Sequence, residues 1–208
     1  RILMVNALDI PGLDVSRETL EKLQHFADLT AKWTRKINLV APNTVPELWS
    51  RHIVDSAQLV PLAPQGWKDW VDIGSGGGFP GIVIAVFAEN DQSVTLVESD
   101  VRKSTFLRTA IRELSLSAVV WNERVESINT RGFDIISARA LAPLDTLLGH
   151  AASLLAPNGT ALFPKGQSFA SELASARQNW DFEDEALPSI THPDARIIRL
   201  KRISPRGS

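Results

Sequence analysis

Apolar positions first recur at helical spacing. Leu20, Leu23, Phe26, Ala27, Thr30, Trp33 and Ile37 share one face of a segment that Ser16 can cap, so residues 16–37 are expected to form an amphipathic helix. Asn38-Leu39-Val40 and Pro42-Asn43 break that pattern. Thr44 can then cap a second helix carrying Glu47, Leu48, Arg51, His52, Asp55, Ser56 and Leu59, before Pro61, Pro64 and Gly66 mark a loop. Beyond the loop the pattern turns to short apolar runs at 70–73, 93–97, 118–121, 133–137 and 160–163, the last introduced by a Pro157-Asn158-Gly159 turn. Helical stretches separate them, at 82–88, 100–114, after Pro143 and at 169–178, and two further strands are expected at 180–187 and 195–203. This alternation predicts an α/β fold, a doubly wound, mostly parallel seven-stranded sheet with an N-terminal helical extension. The expected division is 1–66 for the extension, 67–203 for the sheet domain and 204–208 for a tail whose Arg206-Gly207-Ser208 has the look of a cloning remnant.

Composition narrows the chemistry. The 208 residues contain no Cys, which leaves a reducing compartment unopposed and removes any thiolate metal site; no metal is expected. No apolar run approaches the roughly 18 residues of a membrane span, and the start lacks a signal-peptide pattern. The net charge of −2 does not announce a nucleic-acid binder, so any RNA affinity must come from local basic patches.

The densest chemical signal is Trp70-Val71-Asp72-Ile73 running into Gly74-Ser75-Gly76-Gly77-Gly78-Phe79-Pro80-Gly81. An apolar strand, a glycine loop and a proline-opened helix form a cradle of the nucleotide-binding type. Gly76-x-Gly78-x-x-Gly81 satisfies the dinucleotide fingerprint, but its first glycine comes late after the strand. A carboxylate at the strand end, Asp72, would also face a pyrophosphate, and like charges this close are costly. S-adenosylmethionine carries an ammonium and a sulfonium in place of phosphates, so an acidic strand end suits it. Glu98 ends the second strand 20 residues after Gly78, where a βαβ unit places an acid on ribose hydroxyls. Asn122-Glu123-Arg124-Val125-Glu126 follows the third strand at the carboxyl edge, beside the expected crevice. Arg139 and Lys165 stand at the tips of the fourth and fifth strands. His52 and Asp55, three apart on a helix, are expected to be a structural hydrogen-bonded pair.

Asp72-x-Gly74-x-Gly76-x-Gly78 resembles the first motif of Rossmann-like class I methyltransferases. With Asn38-Leu39, Arg51-His52-Ile53-Val54-Asp55-Ser56, Gly78-Phe79-Pro80-Gly81, Glu98-Ser99-Asp100 with Lys103 and Phe106-Leu107, Arg124-Val125-Glu126, Ser137-Ala138-Arg139-Ala140 and Lys165-Gly166, the chain resembles the bacterial 16S rRNA guanine-N7 methyltransferases over about residues 20–202. That family is also called small-subunit methyltransferase G or glucose-inhibited division protein B. Ser-Ala-Arg-Ala stands where many members have Ser-Arg-Ala, and Ala57 where Leu is common; Arg139 is the cation available at that strand end.

The resemblance implies methylation of one guanine in the decoding-region loop of small-subunit RNA, in the cytoplasm, on 16S rRNA or the small-subunit particle; a monomer is expected, though the sequence does not fix the oligomeric state. It implies S-adenosylmethionine binding through Gly74, Phe79, Val125, Glu126 and Arg139, to which the spacing adds Asp72, Gly76, Gly78 and Glu98. Arg139 and Lys165 are taken as the catalytic pair, working by positioning without a general base. Lys32, Arg35, Lys36, Arg51, Arg139, Lys165, Arg199 and Lys201 form the expected RNA-facing set. Guanine N7 has an in-plane lone pair, so no proton need be removed, and aligning two held reactants is worth about 7–11 kcal/mol. The lack of Cys excludes a Cys adduct to a pyrimidine ring, and Ala-Leu-Ala-Pro with no Tyr lacks the motif of exocyclic-amine methyltransferases. Methylation of a small molecule or protein, and a non-catalytic RNA- or nucleotide-binding module, stay open on the residues alone.

Overall fold

The structure, a computed structural model, describes residues 8–207; Arg1 to Ala7 of the expected extension and Ser208 of the tail lie outside the described residues. Its centre is a seven-stranded sheet in the order β3-β2-β1-β4-β5-β7-β6. The strands are β1 (Asp69–Ile73), β2 (Ser93–Val97), β3 (Ala118–Trp121), β4 (Phe133–Ser137), β5 (Leu155–Lys165), β6 (Trp180–Pro188) and β7 (Arg196–Pro205). The first five are parallel, and β7 runs antiparallel between β5 and β6. β1 pairs with β2 on one side and β4 on the other, so the winding reverses there and opens a crevice at the carboxyl ends of β1 and β4.

Alternate residues of β1 serve opposite faces. Trp70 packs into a core with α1 (Arg17–Thr34), α3 (Gly81–Phe87) and α4 (Val101–Leu114). Val71 and Ile73 enter the other core, beneath α5 (Leu144–Leu154) and α6 (Phe169–Ala176). Ser16 caps α1 through Thr19 N–H, and Asp100 caps α4 through the N–H groups of Arg102 and Lys103. The N-terminal helix is docked on the sheet domain, with Leu23, Phe26 and Ala27 in the same core as Ile82 and Phe106.

Three expectations need correction. The second N-terminal helix is a 3₁₀ turn (Pro42–Glu47) and a wide π turn (Trp49–Val54), with only the short α2 (Asp55–Ala57) in regular form. Pro46 lies inside the first turn, where its missing N–H and its ring oppose α-helical bonding. The Pro157-Asn158-Gly159 turn is an irregularity within β5, across which pairing with β4 jumps from Phe133–Leu155 to Ile135–Thr160. The tail begins later than residue 204, because Ser204 and Pro205 pair with Asp181 and Trp180 and Arg206 N–H donates to Asn179 at 2.8 Å.

Candidate active site

The loop after β1 folds on protein acceptors. Ser75 N–H donates to Val97, Gly78 N–H to Ser75, Gly76 N–H to Glu98 Oε2 at 2.8 Å and Gly81 N–H to Asp72 Oδ2 at 3.1 Å. Two carboxylates thus occupy N–H groups that a phosphate cradle would leave open, and their charge opposes a pyrophosphate. The loop is a scaffold for one wall of a cleft, and the dinucleotide reading loses its basis.

Asp72 lies behind that wall. Its side chain is fully buried, with Oδ1 accepting from Ser137 Oγ at 2.7 Å, and Ser137 Oγ in turn accepts from Trp70 Nε1 at 2.9 Å. Burial pushes the carboxyl up to about 6, against hydrogen bonds from Ser137 and Gly81 and the Arg139 charge. A Cβ on Gly81 would meet Asp72 Oδ2 at 2.7 Å and Leu96 at 2.8 Å, which is why this helix start is a glycine.

The cleft on the open side measures about 410 Å³. Gly74, Gly76, Glu98, Val125, Glu126 and Arg139 line it, together with Lys103, Arg124 and the loop 140–142. Glu98 is nearly buried; Oε1 accepts from Asp100 N–H at 2.8 Å, which fixes the carboxylate at the tip of β2. Gly74 has φ +63°, and a Cβ there would lie 2.5 Å from Leu141 Cδ1. Only glycine combines that backbone with so close a neighbour.

Arg139, just after β4, stands between this cleft and a second one of about 360 Å³ lined by Asp55, Lys165 and Arg196 among others. Its Nη1 donates to Asp55 Oδ2 and to the Arg51 carbonyl, both at 3.2 Å, and its Nη2 donates to His52 Nδ1 at 2.8 Å. The guanidinium carbon lies 5.4 Å from the Phe79 ring centroid, on which His52 also packs at 5.2 Å. Burial first, then the Arg139 charge, push His52 down to about 4, with Asp55 opposing; the ring is neutral at pH 7. The Arg-His-Ile-Val-Asp-Ser, Gly-Phe-Pro-Gly and Ser-Ala-Arg-Ala segments therefore converge on one arginine.

Residues 19–198 match the family model described as rRNA small subunit methyltransferase G. The chain belongs to this family. A protein named "Ribosomal RNA small subunit methyltransferase G" from Cereibacter sphaeroides is 53% identical over 195 residues, covering 92% of this chain and 95% of that one. One of the same name from Paramagnetospirillum magneticum is 48% identical over 190 residues, covering 91% and 92%. Among solved structures, an O-methyltransferase from Bacillus cereus in complex with SAH aligns with a TM-score of 0.61 at 14% identity, covering 87% of this chain and 90% of that one. TYW2 from P. horikoshii in complex with MeSAdo aligns at 0.56 and 16% identity, covering 81% and 65%. These two distant likenesses show the Rossmann-like class I methyltransferase fold.

Against the family's expected residues, the structure sorts the cofactor set in two. Gly74, Gly76, Glu98, Val125, Glu126 and Arg139 share the cleft. Asp72, Gly78 and Phe79 do not line it. Asp72 is locked inside by Ser137 and Gly81, as described. A Cβ on Gly78 would meet Ile82 at 2.6 Å and Phe26 at 3.0 Å, so this glycine admits the packing of α1. Phe79 is buried between Phe26, at 5.0 Å, and Arg139.

The basic set also divides. Lys165 Nζ is held by Glu172 at 2.8 Å and by the Ala142 carbonyl at 3.0 Å, so it clamps the 140–144 loop instead of standing free at the rim. Arg199 is tied to Glu185 and to the Leu62 carbonyl, and Lys201 lies opposite Glu183; neither lines the two clefts. Antiparallel pairing puts Arg196 across from Lys165, and Arg196 is the residue of β7 that reaches the second cleft as a cation, over the Phe169 ring and held by the carbonyls of Pro193 and Ala195. Lys32, Arg35 and Lys36 occupy the end of α1, and the chain beyond them brings the Leu39 carbonyl within 2.8 Å of a Cβ built on Gly77. Arg51 is exposed and paired with Glu47 at 3.2 Å, while its carbonyl serves Arg139. The expected His52–Asp55 pair is instead two separate holds on Arg139.

Glu98→Gln has two expected consequences. An amide accepts less strongly than a carboxylate, so cofactor affinity should fall by about 1.5–3 kcal/mol. Both Glu98 oxygens face backbone N–H groups, so the new NH₂ must oppose one of them and stability should drop by about 1 kcal/mol or more. Calorimetric titration and urea unfolding read the two separately, and unchanged cofactor affinity would make Glu98 a purely structural acid.

Proposed function

We propose that this protein transfers a methyl group from S-adenosylmethionine to N7 of a guanine in 16S rRNA, in the decoding-region loop, acting in the bacterial cytoplasm. The observation that carries the reading is the junction of the two clefts at Arg139 and Ala140, one acidic at Glu98 and the other cationic at Arg196. The first cleft fits the cofactor by its donor set. Glu98 lines it with a carboxylate whose remaining lone pairs can accept from ribose hydroxyls, Val125 offers an apolar face to a base, and the glycine loop presents no open phosphate cradle. When bound, the cofactor supplies a methyl group on a sulfonium, an electrophile that needs only a lone pair and a straight approach.

The protein's part is to hold and align. Arg139 has five N–H donors, and the three bonds to Asp55, His52 and Arg51 leave two for the clefts. Those remaining donors suit a guanine carbonyl or a nearby anion, and a fixed positive charge at the junction keeps its occupants in register. Glu172 and Lys165 hold the 142–144 backbone, close in sequence to the Arg139 and Ala140 that both clefts share. Among the described residues the carboxylates of the second cleft are both engaged by cations, Asp55 by Arg139 and Glu172 by Lys165. The site is therefore poor in general bases, which agrees with an acceptor such as N7 that has no proton to lose.

The test is methyl transfer from labelled S-adenosylmethionine to small-subunit RNA or to the small-subunit particle, followed by mass mapping. A single 7-methylguanosine is expected; transfer to protein or to small molecules with none to RNA would overturn the reading. In a parallel melt, S-adenosylmethionine at 100 times its Kd should stabilise the protein by about 2.7 kcal/mol, and NAD should leave the transition unmoved.

A further inference from the structure

We propose that His52 is a positioning residue whose Nδ1 lone pair fixes the plane in which the Arg139 guanidinium is presented to the junction of the two clefts. The proposal rests on the functional reading above and assigns a role to a residue that neither composition nor spacing marked as part of the site.

The argument starts from hydrogen-bond direction. An arginine can only donate, so His52 Nδ1 must be the acceptor at 2.8 Å. Thr44 Oγ1 donates to the Ala41 carbonyl at 2.7 Å, which leaves its lone pairs to receive His52 Nε2–H at 2.9 Å. The chain from Arg139 through His52 and Thr44 to Ala41 thus runs one way only, and it selects a single neutral tautomer of the imidazole. A second proton on the ring would set Nδ1–H against Nη2–H and place like charges in contact; burial and the neighbouring Arg139 and Arg51 charges oppose that protonation, with Asp55 favouring it.

Geometry explains why this contact matters beyond the ion pair. Asp55 engages Arg139 through Nη1 only, and its other oxygen is taken by Thr191 at 2.7 Å and Gln58 at 3.0 Å. One anchored nitrogen lets a guanidinium swing about that point. A second anchor on Nη2, with the Phe79 ring beneath both His52 and Arg139, removes the swing and aims the remaining donors. His52 does not line either cleft, so its effect must pass through Arg139.

Three variants separate positioning from support. Asn places Oδ1 close to where Nδ1 stands and so keeps an acceptor for Arg139. Gln reaches toward the Thr44 side, and Ala keeps neither. Turnover is measured at saturating RNA and cofactor, with cofactor Kd and melting temperature alongside. His52→Ala and His52→Gln should lower kcat at least tenfold with cofactor Kd within about twofold, while His52→Asn should retain at least a third of wild-type kcat. If His52→Ala does not fold, the Asn and Gln variants decide. Equal kcat across the folded variants, or equal losses in Asn and Gln, overturns the positioning role while leaving the methyltransferase reading intact. A wild type that methylates no small-subunit RNA overturns both.

Discussion

Arg139→Ala is expected to lower turnover about 100-fold at saturating RNA and cofactor, the scale of loss when one reactant is misplaced by about an ångström. The guanidinium lines both clefts and is gripped from behind by Asp55, His52 and the Arg51 carbonyl. Its removal leaves a gap at the junction, and it also leaves Asp55, about one-fifth exposed, without its cation. A stability loss on the order of 1–3 kcal/mol should accompany the kinetic effect, below the cost of breaking a fully buried pair because water still reaches both groups. Arg139→Lys should rescue little. A single ammonium cannot meet His52 and Asp55 at once and keep donors for the clefts, so less than a tenfold recovery over Ala is expected. The kinetics at saturation decide the matter: full turnover in Arg139→Ala would place the arginine in the scaffold and return the junction to an open question.

The parts of this protein that were legible in its sequence are those specified locally. The β1 strand, the glycine loop and the helix after it lie within one stretch, where apolar runs, positive-φ positions and a carboxylate speak for themselves. Glu98 was legible for the same reason, as the residue that follows β2 by one step. What stayed hidden depends on distant pairings. His52 and Arg139 are 87 residues apart, and a wide π turn, not a regular helix, brings them together. Periodicity gives the face of a helix but no warning that the turn will widen.

Asp72 misled for a different reason. Its place at a strand end suggested a residue facing the ligand, yet the alternation of β1 sends Asp72 inward beneath Gly81, where its bonds hold the loop in shape. The basic residues of β7 show the limit of pattern reading most plainly. Arg196, Arg199 and Lys201 look alike on an alternating strand, and only the antiparallel register, Lys165 opposite Arg196, picks the one that reaches the cleft. Lys165 lines the second cleft beside Arg139, but the partner that occupies it, Glu172, comes from the helix after the next turn.

Asp72→Asn and His52→Asn are expected to tilt the pH dependence of stability in opposite directions and by comparable amounts. Burial holds the Asp72 carboxyl up at about 6 against an ordinary value of 3.8. Between those values the folded protein keeps a proton that the unfolded chain has lost, so stability falls as pH rises through the window, by on the order of 3 kcal/mol once both are ionised. His52 works the other way. Burial and Arg139 hold it at about 4 against 6.5, so the unfolded chain binds a proton the folded protein lacks, and stability rises with pH across that range. The two slopes offset each other in the wild type wherever they overlap, which should leave its stability nearly flat from about pH 4 to 6 as far as these groups are concerned. Asp72→Asn removes the falling slope and should climb with pH relative to wild type. His52→Asn removes the rising one and should decline. Carboxylates elsewhere titrate alike in all three proteins, so they cancel when each variant is read as a difference from wild type in urea unfolding between pH 4 and 7. Asp72→Ala provides the contrast, because it strands the Gly81 N–H and the Ser137 hydroxyl inside the core at about 1–3 kcal/mol each and should be destabilised at every pH. Difference curves for the two Asn variants that run parallel would mean that neither buried group titrates as its surroundings dictate.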